Sequence, residues 1–120
     1  MTTRIVLIED DPDIAALVEV MLTEVGHQVE VVDEIDEHAL DTETQLVITD
    51  LLALRSYDTE TAREWIARVR AVFPRAAVIV STAHALAAEA GAPVIGADAL
   101  LVKPFDIGLF TRTVESLLGT

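Results

Sequence analysis

A chain of 120 residues has the length of one domain, here residues 1–120, and can take roughly two-thirds of its unfolded surface out of water. Acids outnumber bases 21 to 8, a net charge of −13 that repels phosphate backbones and excludes direct nucleic-acid binding as the domain's own task. There is no cysteine for disulfide or thiol chemistry, and the first apolar stretch is too short for a signal-peptide core or a membrane span, so no membrane is involved and the cytoplasm is the expected compartment.

In chain order, Arg4-Ile5-Val6-Leu7-Ile8 reads as a buried strand that ends in Glu9, Asp10 and Asp11. Asp11 can cap a helix with Pro12 at its first position, where the missing N–H costs nothing. Ile14, Leu17, Val18, Met21, Leu22 and Val25 recur at helical spacing, and Gly26 closes that helix at C′. Residues 28–32 form a short alternating strand. Residues 33–40 offer one short acidic helix, with Ile35, Ala39 and Leu40 as its apolar contacts.

Leu46-Val47-Ile48-Thr49 is a buried strand ending on Asp50, and 51–58 has no clear period and reads as a loop. Thr61 and Glu64 are spaced for a capping box, with Asp58 or Thr59 as rival caps. Ala62, Trp65, Ile66, Val69, Val72 and Phe73 make the apolar stripe of that helix, and Pro74 ends it. A strand over 77–81 is followed by Thr82, then an alanine-rich helix over 84–90 stopped by Gly91 and Pro93. Residues 99–102 are the fifth strand, running into Lys103-Pro104-Phe105. Asp106 caps a last helix whose apolar face is Ile107, Phe110, Val114, Leu117 and Leu118.

Five strands alternating with five helices predict an α/β fold, a parallel sheet with helices on both faces. In such a sheet the strands' carboxyl ends share one rim, where ligands bind. Four strands end there in polar residues: Glu9-Asp10, Asp50, Thr82 and Lys103, the chain's only lysine beside seven arginines. Two carboxylates about 5 Å apart at an effective dielectric near 20 repel by roughly 3 kcal/mol, which calls for a raised pKa, a nearby ammonium or a divalent cation. Oxygen ligands without His or Cys point to Mg²⁺ rather than zinc or copper. A hydroxyl and an ammonium then suit phosphoryl oxygens.

The set Glu9-Asp10, Asp50, Thr82-Ala83 and Lys103-Pro104-Phe105, with Gly96-Ala97-Asp98 ahead of the last strand, resembles the receiver domain of two-component response regulators over essentially the whole chain. The resemblance implies a (βα)5 flavodoxin-like sheet in the order 2-1-3-4-5. It implies that Asp50 accepts a phosphoryl group from a sensor histidine kinase or a histidine phosphotransfer protein. Mg²⁺, with Mn²⁺ able to substitute, would be held directly by Asp10, mainly through water by Glu9, and by Asp50 and the backbone carbonyl of Leu52. Thr82 and Lys103 would bind phosphoryl oxygens, the Lys103-Pro104 bond would be cis, and Asp11 would cap a helix rather than bind metal. Output would pass to a downstream protein target or a fused effector domain, and a homodimer is compatible with the family. Such a domain is a signalling switch rather than an enzyme, with self-phosphotransfer and autodephosphorylation its only chemistry.

The chain departs from the family pattern after Asp50, where Leu54 and Asp58 replace a proline and a glycine, and at Leu100, which replaces an aromatic ring. The fourth helix is short, and the segment between Gly26 and Asp50 is compressed. Leu52 and His84 occupy positions that in relatives face the phosphoryl group; His84 reads better as a helix-start residue. The departures favour an alternative, a receiver-like interaction module working without phosphorylation, which the complete acid–Thr–Lys set opposes. An aspartyl-phosphate phosphatase or mutase would want a second acid where Leu52 stands.

Overall fold

The computed structural model describes residues 3–32, 35, 40–51, 59–83, 91–103 and 106–119. Its strands are β1 (Arg4–Ile8), β2 (Gln28–Val32), β3 (Leu46–Thr49), β4 (Ala77–Thr82) and β5 (Ala99–Val102). Its helices are α1 (Pro12–Glu24), α2 (Thr59–Val72), α3 (Ala92–Ile95) and α4 (Ile107–Leu118). All strands pair in parallel in the order β2-β1-β3-β4-β5, as expected.

Inner strands rich in Val and Ile suit a pleated sheet covered on both sides. On one face Val6, Ile8, Val47, Val78 and Val80 lie under Ala62, Ile66 and Val69 of α2, with Phe73 just beyond it. On the other, Ile5, Leu7, Ile48, Ile79 and Leu101 meet Ala15, Val18 and Leu22 of α1 and Phe110 and Val114 of α4. Phe73 and Phe110 are fully buried, one on each face, and each such burial stabilises by roughly 2–3 kcal/mol.

The helix ends follow their side chains. The Asp11 carboxylate accepts from the amides of Asp13 at 2.9 Å and Ile14 at 3.3 Å, and that of Asp106 accepts from the Leu109 amide at 2.8 Å. Gly26 has φ +96° just past the Val25 C-cap, the left-handed turn that glycine makes without strain. Ahead of β3, the Asp41 carboxylate accepts from the amides of Glu43 and Thr44 and from the Thr44 hydroxyl, at 2.9, 3.0 and 2.7 Å. Its own amide donates to the Val72 carbonyl at 2.8 Å, so this turn ties the entry of β3 to the end of α2. At the opposite rim from the predicted site, the Asp98 carboxylate accepts from the Val78 amide at 2.8 Å and from Arg70 at 3.2 Å.

Several local expectations need correction. In α1 the small Ala15, not Leu17 or Val25, packs on the sheet; the latter two are exposed, because close helix–sheet approach selects by angle and size rather than by hydropathy. Ile107 is likewise exposed, and Phe110 and Val114 alone of the α4 stripe are buried. Helix α2 begins at Thr59, which puts Thr61 inside its first turn and rules out the Thr61–Glu64 capping box. Gly91 and Pro93 also open a helical turn that was not expected: Gly91 is the N-cap of α3, and proline fits the start of a helix, while the 84–90 helix they were expected to stop lies outside the described residues. Leu40 is exposed rather than a core contact, whereas Ile35 is buried as expected. The remainder of the 33–40 helix, the loop over 52–58, the 84–90 helix and Pro104-Phe105, with the expected cis bond, lie outside the described residues.

Candidate functional site

The carboxyl ends of β1 and β3 are neighbours, since Ile8 pairs with Thr49 and the Asp50 amide donates to the Ile8 carbonyl at 2.9 Å. The residues that follow, Glu9 and Asp50, therefore stand side by side. With Asp10 they form a cluster in which one carboxylate oxygen from each lies within 4.8 Å of the others; Glu9 is buried, Asp50 half-buried and Asp10 exposed.

The lysine reaches into this cluster. Lys103 Nζ lies 2.8 Å from Glu9 Oε1 and 3.1 Å from Asp50 Oδ2, with its side chain 14% exposed. The Lys103 amide donates to the Thr82 carbonyl at 2.8 Å, which fixes the start of this reach at the sheet edge. The second Glu9 oxygen accepts from the Asp11 amide at 3.3 Å, and Asp50 Oδ1 accepts from the Leu51 amide at 2.8 Å.

Burial pushes the Glu9 carboxyl above its ordinary 4.5; the hydrogen bonds from Lys103 and the Asp11 amide and the lysine's charge oppose that rise without cancelling it. Burial also works to lower the Lys103 ammonium, but hydrogen bonds to Glu9 and Asp50 and their charges outweigh it and hold it above its ordinary 10.5. One ammonium among three carboxylates leaves the site anionic. One oxygen from each of the three carboxylates lies within 4.8 Å of the others, a grouping that would let Glu9, Asp10 and Asp50 draw in around one small, hard cation such as Mg²⁺. Hard oxygen donors, spacing and excess charge all fit that ion.

No protein-family model matches the chain, and no curated protein sequence does. Solved structures do match it. A response regulator receiver protein from Burkholderia phymatum superposes with a TM-score of 0.74 at 28% identity, over 98% of this chain and 95% of that one. This is the receiver-domain fold of response regulators. The receiver domain of a sensor histidine kinase from Pseudomonas aeruginosa PAO1, solved with a magnesium ion coordinated in its active-site cleft, matches with a TM-score of 0.75 at 23% identity, over the full length of both chains (100% and 100%). The receiver domain of Ssk1 from Saccharomyces cerevisiae, crystallised with the histidine phosphotransfer protein Ypd1, matches with a TM-score of 0.69 at 14% identity, over 97% of this chain and 88% of that one.

Within the receiver fold the remaining predicted residues take distinct places. Thr82 is buried at the same rim, but strand alternation sets it on the α2 face of the sheet, with Val78 and Val80, whereas Glu9, Asp50 and Lys103, each one residue past its strand, continue the alternation of the α1–α4 face. Leu100 is half-buried on the Thr82 face. Leu52 and His84 lie outside the described residues.

Two features escaped the sequence reading. Trp65 Nε1 donates to Thr49 Oγ1 at 2.9 Å, and that hydroxyl donates to the Asp50 carbonyl at 2.7 Å, which links α2 to the backbone of the central aspartate. The outer side of the Trp65 ring carries the Arg68 guanidinium, 5.3 Å from its centroid. Ser81, next to Thr82, is the second; its hydroxyl faces the α1–α4 side and is buried. Neither shows in composition, because both depend on which strand neighbours which.

Proposed function

We propose that this receiver domain accepts a phosphoryl group on Asp50 from a phosphohistidine of a sensor kinase or phosphotransfer protein. The observation that carries the reading is the joining of Asp50 with two further carboxylates and a half-buried lysine at one rim of the sheet. An Asp50 oxygen attacks phosphorus, the P–N bond breaks, and the imidazole leaves with the bonding pair. Mg²⁺, for which Mn²⁺ can stand in, would be held by Glu9, Asp10 and Asp50, with the Leu52 carbonyl as a further ligand, and supplies charge neutralisation to the arriving phosphoryl group. Lys103 balances charge on one phosphoryl oxygen, and Thr82 bonds another after its segment moves inward. The acyl phosphate then biases a two-state equilibrium that a downstream protein, a fused effector domain or a second copy reads. Loss of the phosphoryl group to water resets the domain without making it a turnover enzyme. Among the described residues no helix is long and apolar enough to cross a membrane; the cytoplasm is the compartment that supplies such kinases.

Incubation with acetyl phosphate and Mg²⁺ followed by intact mass measurement tests this reading. One phosphoryl mass on the wild type, absent from Asp50→Asn and from samples with chelator, is expected. An unlabelled wild type, or equal labelling of the variant, contradicts it and returns the interaction-module reading.

A further inference from the structure

Among the described residues, Ser81 Oγ is the buried side-chain polar atom with no hydrogen-bond partner, on a residue 3% exposed. Burying a hydroxyl this way is unfavourable, and an alanine or valine at the same place would bear no such cost. A hydroxyl held so is free to accept from a partner that arrives in another state of the site.

The sheet shows which partner is near. Strand β4 lies between β3 and β5. Thr49 pairs with Val80 and Ser81 with Leu101, so Ser81 flanks Asp50. Ile79, two residues earlier on the same face, packs with Ile48 and Leu101, so strand alternation turns Ser81 to the α1–α4 side. Glu9, Asp50 and Lys103 fall on that side when the alternation of β1, β3 and β5 is continued one residue past each strand. Lys103 starts beyond the end of β5 yet brings its ammonium to Asp50 after β3 and Glu9 after β1. Its side chain must cross the end of β4, the strand in which Ser81 is the last residue but one.

An ammonium has three N–H donors and no acceptor. Two are directed at Glu9 Oε1 and Asp50 Oδ2, and these carboxylates belong to the group spaced to hold a cation. When a cation and a phosphoryl group engage them, one N–H of the lysine turns to a phosphoryl oxygen, and on a side chain only 14% exposed the others are left short of acceptors. The Ser81 hydroxyl has both lone pairs unused.

We propose that Ser81 is a positioning residue for Lys103: its hydroxyl accepts an N–H of the ammonium once Glu9 and Asp50 are engaged, and so keeps the lysine directed at the phosphoryl group. The proposal rests on the phosphoacceptor reading of Asp50. In the resting state the hydroxyl contributes nothing, so its removal acts on the engaged state alone.

The test compares wild type, Ser81→Ala and Ser81→Thr in two measurements: the labelling rate with acetyl phosphate and Mg²⁺, and the side-chain ¹⁵N resonance of Lys103, unambiguous because the chain has one lysine, with and without Mg²⁺ and beryllofluoride. Ser81→Ala is expected to fold with unchanged or higher stability, to label about tenfold more slowly, as for loss of one hydrogen bond to a charged group, and to lose the wild-type Lys103 shift in the beryllofluoride state only. Ser81→Thr, which keeps the hydroxyl, is expected to restore both. If the wild type gains no phosphoryl mass, the phosphoacceptor reading falls and this proposal with it. If the wild type labels but Ser81→Ala matches it in rate and resonance, or Ser81→Thr fails as fully as Ser81→Ala, this proposal alone is overturned.

Discussion

Replacement of Lys103 by methionine keeps the length of the side chain and removes its charge, leaving the 3%-exposed Glu9 side chain beside Asp50 with no counter-ion. At an effective dielectric near 20, attraction across 2.8 Å and 3.1 Å is worth roughly 6 and 5 kcal/mol. Most of that offsets the removal of the ammonium from water, and a buried pair broken on one side costs about 3–5 kcal/mol net. Glu9, already above its ordinary pKa because it is buried, relieves part of the loss by taking a proton. About 3 kcal/mol is therefore expected, measured by urea denaturation at neutral pH with chelator. Glu9→Gln with Lys103→Met is expected to recover about 2 kcal/mol of it, since the two residues touch and are not additive. A single-variant loss below about 1 kcal/mol, the size of an exposed pair, or the same loss in the Glu9→Gln background, would refute the claim that the lysine compensates this cluster.

Three further outcomes follow from the same geometry. Mg²⁺ should stabilise the wild type by about 2.7 kcal/mol at a hundredfold excess over Kd, and Asp10→Ala should abolish that gain in thermal melts while barely changing the metal-free midpoint, because Asp10 is exposed. Asp41→Ala should cost about 2 kcal/mol in chemical denaturation, from loss of three hydrogen bonds to one carboxylate. Burial opposes ionisation of Asp41, yet the bonds from Thr44 and Glu43 and the Arg4 charge outweigh it and hold its pKa below the ordinary 3.8. Its contribution is thus fully present above 3.8 and lost as pH falls through the lower folded value, so the gap between wild type and Asp41→Ala should close only in strong acid; a gap that closes nearer neutrality would contradict this. Trp65 is the single tryptophan, and its bond to Thr49 should make its fluorescence shift when Mg²⁺ and beryllofluoride are added; Trp65→Phe should cost about 1 kcal/mol, and an unmoved spectrum would disconnect α2 from the site.

The sequence was most legible where burial leaves one solution. Short Val- and Ile-rich runs covered on both faces mark β1, β3 and β4, and an acid just after such a strand lands on the rim whatever its neighbours, which is why Glu9, Asp10 and Asp50 could be grouped early. Helix faces were less legible: Ala15 displaces Leu17 from the α1 interface because contact depends on angle and size. Gly91 and Pro93 punctuate a helix without saying whether it ends or begins. The place of Ser81 was hidden altogether, since only strand order and register set it beside Asp50 and put the adjacent Thr82 on the other face.

The central claim is that Asp50 itself forms the acyl phosphate. Reduction of the phosphorylated domain with borohydride, which converts an aspartyl phosphate to homoserine, followed by peptide sequencing by mass spectrometry, tests it most directly. Homoserine at position 50 and at no other acid is the predicted result; conversion at Glu9, Asp10 or Asp11 with residue 50 still aspartate would contradict it.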